Sequence, residues 1–255
     1  MKRFRYARPG SLDELYDLLD TADPGAVRPI VGGTDLIVGL RSGRIRPAVV
    51  VDLKHLADLP PGIRETGGRI TISATTTLTD VIADQRIRAR FPALVQAAST
   101  VGSVQIRNRA SLTGNICNAS PAYDTGPALL AHDAVIVLSG RAGQRRVPVA
   151  AHFARLTRRR GVDLATLSLC CAVTDRRTRL AFGAVAPRPF AVDDDSGVLA
   201  DAHSTDEQRD EVLRAMTAQA APITDVRGGA DYRQAMLLVL GRRALRAALA
   251  DRNGG

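Results

Sequence analysis

The sequence predicts an α+β protein built in two parts. Two observations carry that expectation. Up to Leu53 the chain alternates short apolar runs with helical patterns and reads as β-α-β-α-β. Beyond about Ala151 the composition shifts to a pair of strand-like segments followed by two long helical ones. With 255 residues the chain can build one large core or two modest ones.

The elements follow in order. Pro9 precedes Ser11-Leu12-Asp13-Glu14, the spacing of a capping box, and Leu12, Leu15, Tyr16 and Leu19 then recur on one helical face to about Asp20. Val27 to Val31 is apolar and β-branched, and Gly32-Gly33 stops it. Leu36, Ile37 and Leu40 mark a second helix or turn, and Ala48 to Leu53 a strand. Arg69 to Ala74 alternates as a half-buried strand does, and Thr77 caps a helix. Pro92 to Val101 is helical, Gly102 to Pro121 is a Gly-, Ser- and Asn-rich loop, and Ala134 to Leu138 is a strand. Leu164 to Val173 and Arg179 to Val185 are strands joined by a polar turn, and Asp193 to Gly197 reads as a turn or loop. Helices at about Asp206 to Ala220 and Asp231 to Ala250 close the chain.

Composition excludes several functions. No apolar run approaches the ~20 residues that cross a bilayer. Charge at Lys2, Arg3 and Arg5 is followed by no apolar signal core, so a cytoplasmic location is expected. The cysteines are Cys117, Cys170 and Cys171, with no CxxC pair, and the four histidines are scattered, so no metal site is expected. Cys170 and Cys171 lie in an apolar run and read as packing residues. The net charge of +9 invites a nucleic-acid reading. Aromatics at 4% are too few for base stacking, and of 35 basic residues only Lys2 and Lys54 are lysine, a sign of arginine-biased coding. Basicity of this kind suits an acidic partner or an anionic cofactor.

Two loops hold the functional signal. The first is Val31-Gly32-Gly33-Thr34-Asp35-Leu36. A diphosphate needs backbone N–H groups with no Cβ in the way; paired glycines permit that, and a branched side chain at Gly33 would occupy the diphosphate's space. A strand-to-helix turn with nothing bound would look the same. It is neither GxGxxG nor Walker A. The second loop runs from Gln105-Ile106-Arg107-Asn108-Arg109 through Ser111-Leu112-Thr113-Gly114-Asn115 to Ser120-Pro121 and Asp124. Small polar residues interleaved with Ile and Leu suit backbone contact with a large internal ligand.

This pair of loops resembles the FAD-binding medium subunit of molybdenum hydroxylases, the family of the carbon monoxide dehydrogenase flavoprotein subunit and the xanthine dehydrogenase FAD domain. The likeness continues in the family's order through Phe153-Ala154-Arg155, Asp163-Leu164-Ala165, Gly183 to Pro189, Asp225-Val226-Arg227-Gly228 and Tyr232-Arg233. It implies a two-subdomain FAD-binding fold of the vanillyl-alcohol oxidase type plus a small α+β C-terminal domain. The expected boundaries are 1–152 for the FAD-binding domain, with subdomains of about 1–57 and 58–152, and 153–255 for the rest. It further implies noncovalent FAD held at Ile30, Val31, Gly32, Gly33, Thr34, Asp35, Leu36, Val101, Ser111, Thr113, Gly114, Asn115, Asp124 and Arg155. Val31 to Leu36 would wrap the adenosine diphosphate, Ser111, Gly114 and Asn115 would meet the pyrophosphate and flavin side, Asp124 would bond the adenosine end or fix its loop, and Arg155 would lie near the flavin ring.

The resemblance also implies partners: a large subunit with the molybdenum cofactor and a small subunit with two [2Fe-2S] clusters, in a hetero-oligomer. This chain would pass electrons through FAD to an acceptor and would hold no catalytic residue of its own, no nucleic acid and no membrane span. A flavin-binding module without electron transfer and a basic nucleic-acid-binding protein are the competing readings. Two departures stand out. Relatives carry glycine where this chain has Thr113, whose Cβ would crowd the cofactor if the backbone there were left-handed. Ala151-His152-Phe153 joins segments that relatives separate by an extra turn and strand over the flavin ring.

Overall fold

The computed structural model describes residues 2–23, 25–118, 120, 123–148, 155–156, 165–174 and 177–253. The junction at Ala151-His152-Phe153, Asp163-Leu164 and Pro121 lie outside them. The chain divides into two compact units that interleave in sequence: Met1–Arg90 with Gly102–Asn118 and Val137–Arg146, and Phe91–Val101 with Ala119–Ile136 and Val147–Gly255.

The first unit opens as expected, with β1 (Arg5–Ala7), α1 (Leu12–Asp20), β2 (Val27–Ile30), α2 (Leu36–Arg41) and β3 (Val49–Asp52). The strands form one parallel sheet in the order β1-β3-β2. The central strand, Val49 to Asp52, is buried throughout, as a parallel strand between two neighbours requires. Val49, Val51, Val27, Leu15 and Leu56 make its core; each such side chain contributes ~1.5–3 kcal/mol by leaving water. The Ser11 hydroxyl caps α1 by accepting from Glu14 N–H, while the Glu14 carboxylate accepts from Gly10 N–H at 2.8 Å, one residue before the usual capping-box partner.

β4 (Ile63–Thr66) and β5 (Arg69–Ile72) form an antiparallel hairpin. Gly67 and Gly68, at φ +56° and +73°, make its two-residue turn, the geometry in which both central residues are left-handed. Thr77 and Asp80 exchange both capping bonds at the start of α3 (Leu78–Ala83), and α4 (Gln85–Arg90) follows. α5 (Pro92–Thr100) belongs to the second unit. The segment 102–121, expected as a loop, contains α6 (Val104–Arg107) and α7 (Leu112–Asn118). Gly, Ser, Thr and Asn are weak helix formers, but serine hydroxyls at Ser103 and Ser111 start both helices.

β6 (Val135–Gly140) and β7 (Gly143–Pro148), which pair as a two-stranded sheet, fall largely in the first unit; the second continues with α8 (Thr125–Ala131). β8 (Arg155–Leu156), β9 (Leu167–Val173), β10 (Thr178–Gly183) and β11 (Phe190–Asp194) form an antiparallel sheet in the order β11-β10-β9-β8. α9 (Asp206–Thr217) and α10 (Ala230–Asn253) complete the unit. Leu167, Leu169 and Cys171 face Leu180, Phe182, Leu213, Leu237 and Leu240 on one side of the sheet. On the other, Gly183 leaves room for Pro127 of α8. With both faces covered, β9 is apolar almost throughout, and Cys170 and Cys171 are buried free thiols, as their setting in the sequence suggested. Asp193 and Asp194, expected in a turn, instead extend β11. Asp193 lies directly opposite Arg179 in the ladder and accepts its Nε–H at 2.5 Å, so the cross-strand ion pair offsets the poor strand preference of aspartate.

Candidate functional site

The first loop leaves the sheet at Ile30, which pairs with Asp52 as the last residue of β2. Gly33 turns the chain at φ +73°, and its carbonyl accepts from Ile37 N–H at 2.9 Å, starting α2. Asp35 is the residue before the helix, and its side chain makes no capping bond. Val31, Gly32, Gly33, Thr34 and Leu36 are half-buried. Among the described residues, none of the N–H groups of Gly32, Gly33, Thr34 and Asp35 donates to a backbone carbonyl. Four consecutive donors therefore remain at the mouth of the turn, the arrangement that attracts an anion.

The second loop is strapped to the start of α3. Ala110 carbonyl accepts from Leu78 N–H at 2.8 Å, Thr77 and Ser111 form an antiparallel bridge, and the Thr79 hydroxyl donates to Asn108 Oδ1 at 2.6 Å. Ser111 is buried, and its hydroxyl accepts from Gly114 N–H at 3.0 Å. Asn115 N–H reaches the Ser111 carbonyl at 3.0 Å. Thr113 and Asn115 are half-buried on α7 and Gly114 is exposed. The non-glycine residues with left-handed backbone among those described are Asp133 and Ala184, so Thr113 sits in ordinary helical geometry and its Cβ is accommodated. The crowding anticipated at this position does not arise from the backbone.

The two loops meet through Gly32. A Cβ built there would run into the Arg109 carbonyl and lie 2.9 Å from Ala110 N. Gly32 is thus glycine because another backbone occupies the space. Gly33 is glycine for a different reason than its sequence suggested: its φ is left-handed, and a Cβ would lie 2.8 Å from Ile30 Cδ1.

Sequence reasoning missed the support beneath the first loop. Asp52, 2% exposed, accepts from the Tyr6 hydroxyl, from Lys54 Nζ at 2.6 Å and from Lys54 N–H at 3.0 Å. Lys54 Nζ also donates to the Val31 carbonyl at 3.1 Å. Burial works to raise the Asp52 carboxyl, but the bonds from Lys54 and Tyr6 outweigh it and hold the group below the usual carboxylate range. The one available signal was Lys54 itself, a lysine in an arginine-rich chain.

The remaining candidates lie in the second unit. Val101 ends α5, its N–H on the Ala98 carbonyl at 3.2 Å. Asp124 is buried at the start of α8 and makes no capping bond with its side chain. Arg155 stands in β8, paired with Ser168. Among the described residues no group of three or more His, Cys, Asp or Glu is placed to hold a metal ion, and no helix is long and apolar enough to cross a membrane.

Comparison with known proteins is consistent with this geometry. A family model described as the FAD binding domain in molybdopterin dehydrogenase matches residues 2–174, and the CO dehydrogenase flavoprotein C-terminal domain matches 152–248. The carbon monoxide dehydrogenase medium chain of Hydrogenophaga pseudoflava is 30% identical, covering 97% of this chain and 98% of its own. The xanthine dehydrogenase FAD-binding subunit of Escherichia coli O157:H7 is 26% identical, covering 98% and 97%. A solved structure of the Hydrogenophaga pseudoflava carbon monoxide dehydrogenase that lacks the Mo-pyranopterin moiety superposes with a TM-score of 0.85 at 27% identity, covering 98% of each chain.

Proposed function

The chain belongs to the family of FAD-binding subunits of molybdopterin dehydrogenases, and from that premise we propose that it holds FAD noncovalently and relays electrons within a larger enzyme. The observation that carries the reading is the run of N–H groups from Gly32 to Asp35, set where Gly32 meets the backbone of Arg109 and Ala110. A diphosphate would suit that run, because among the described residues its N–H groups donate to no backbone carbonyl and Gly32 and Gly33 add no side chain to it. Val31 to Leu36 would hold the adenosine diphosphate part. Ser111, Thr113, Gly114 and Asn115 would shape the wall of the cradle toward the flavin, with Ser111 acting through the helix start it caps. The family resemblance assigns Val101, Asp124 and Arg155 to the same cofactor.

FAD supplies the exchange between single-electron donors and two-electron acceptors; the chain supplies binding, orientation and a protected surface. The electrons would come from [2Fe-2S] clusters of a small subunit, and the substrate chemistry would belong to a large subunit with the molybdenum cofactor. The expected division is an FAD-binding part over 1–152, of the vanillyl-alcohol oxidase type with subdomains of about 1–57 and 58–152, and a C-terminal part over 153–255. Three free cysteines suit a reducing, cytoplasmic setting.

Expression together with the neighbouring genes tests the reading. One complex containing molybdenum, iron and FAD, with flavin bands in its visible spectrum, is the expected product. A colourless chain that copurifies with no such partners, or turnover of a substrate by this chain alone, would overturn it.

A further inference from the structure

Lys54 grips the last carbonyl before the glycine pair, and that grip has a directional consequence. Val31 O and Gly32 N–H belong to one peptide plane, and no cis peptide occurs among the described residues. In a trans plane the C=O and the following N–H point to opposite sides. Fixing Val31 O on Lys54 Nζ, at 3.1 Å, therefore aims Gly32 N–H away from the lysine. A cation on the carbonyl also polarises the same amide, which makes its N–H a stronger donor.

The lysine is itself held. Asp52 takes its ammonium at 2.6 Å and its N–H at 3.0 Å, and is steadied from β1 by the Tyr6 hydroxyl. Asp52 closes β3 and Ile30 closes β2 directly opposite, so the carboxylate sits under the point where the loop departs. An ammonium suits the task better than a guanidinium. It offers three donors from one atom and can bond a carboxylate and a carbonyl together, whereas the planar fork of arginine favours a two-point grip on the carboxylate.

We infer that Lys54 is a positioning residue for the diphosphate: through the Val31 carbonyl it presets the first N–H of the cradle, with Asp52 and Tyr6 holding it in place. The inference rests on the reading of the Gly32 to Asp35 turn as the FAD diphosphate site.

The test uses the full chain stripped of flavin and titrated with FAD and, separately, with ADP, which carries the diphosphate without the flavin ring. Wild type is expected to bind both. Lys54→Met should weaken both by one common factor, about tenfold to a hundredfold, the scale of one charge-assisted hydrogen bond. Lys54→Cys alkylated with 2-bromoethylamine, which restores an ammonium at nearly the same reach, should recover most of the loss, with wild type treated alike as the control. Should Lys54→Met fail to fold, Lys54→Arg carries the test, with both affinities falling and the melting temperature unchanged. Equal FAD and ADP affinities in folded variant and wild type, loss of FAD binding with ADP untouched, or no recovery on aminoethylation would each overturn the inference. A wild type that binds neither ligand would instead overturn the site reading on which it stands.

Discussion

Gly32 and Arg109 meet backbone to backbone, 77 positions apart in the chain: the space a side chain would need at Gly32 is taken by the Arg109 carbonyl. This single approach joins the turn after β2 to the segment strapped onto α3. Gly32→Ala should therefore push the loops apart. The expected cost is about 1–3 kcal/mol of stability, the range for overpacking a close contact, with a clear loss of FAD affinity. Urea unfolding and flavin titration measure the two effects; full FAD affinity in the variant would remove the junction from the site. Gly33→Val acts through the left-handed backbone and Ile30 rather than by filling ligand space, so its loss of FAD binding should come with lower stability, not without it.

What was readable from sequence divides along physical lines. The opening β-α-β-α-β unit announced itself because Val27, Val49 and Val51 are buried where their periodicity says they should be. The hairpin around Gly67-Gly68 went unread although its turn chemistry was present. α6 and α7 were not legible, because tertiary bonds such as Leu78 N–H to Ala110 O outweigh weak local propensity there. Nor was the support by Lys54, since its grip on the Val31 carbonyl joins residues 23 apart that only the folded sheet brings together.

FAD should be noncovalent. The side chains near the second loop with suitable chemistry are Cys117 and Tyr123, and desolvation raises the pKa of both, keeping the thiol and the phenol protonated and poorly nucleophilic. Acid precipitation should release all flavin to the supernatant. Yellow colour retained in the washed pellet would contradict this.

The C-terminal part has an acid-sensitive anchor. Arg233, 1% exposed, donates to Asp225 at 2.5 Å and to the Ala184 carbonyl at 3.1 Å, and Arg227 also grips Asp225. The hydrogen bond from Arg227, with the charge of Arg233 adding to it, holds the Asp225 carboxyl at about 2. A depressed carboxyl stabilises the fold in full above its unfolded value near 4 and loses that contribution as pH falls toward 2. Asp225→Asn should cost about 3 kcal/mol at neutral pH, because it strands a buried guanidinium, and should flatten the loss of stability between pH 4 and 2. Urea midpoints across that range decide it; an unchanged acid slope would exclude Asp225 as the titrating group.

Thr113 offers the sharpest contrast between sequence and structure. The family resemblance leads one to expect glycine there, and with it a threonine that crowds the cofactor. The residue lies inside α7, its backbone is helical, and the helix begins on the Ser111 cap just before it. A helical backbone welcomes a Cβ, so restoring glycine should release no strain. Thr113→Gly should lower stability by about 0.5 kcal/mol through helix propensity and leave FAD affinity within about twofold, a change below ~0.5 kcal/mol by the usual conversion. The two quantities move separately, so titration and unfolding on one preparation distinguish the cases. A gain in FAD affinity of about tenfold would mean that the threonine side chain, rather than its backbone, stands in the cofactor's path, and that the start of α7 lies closer to the flavin than its capped geometry implies.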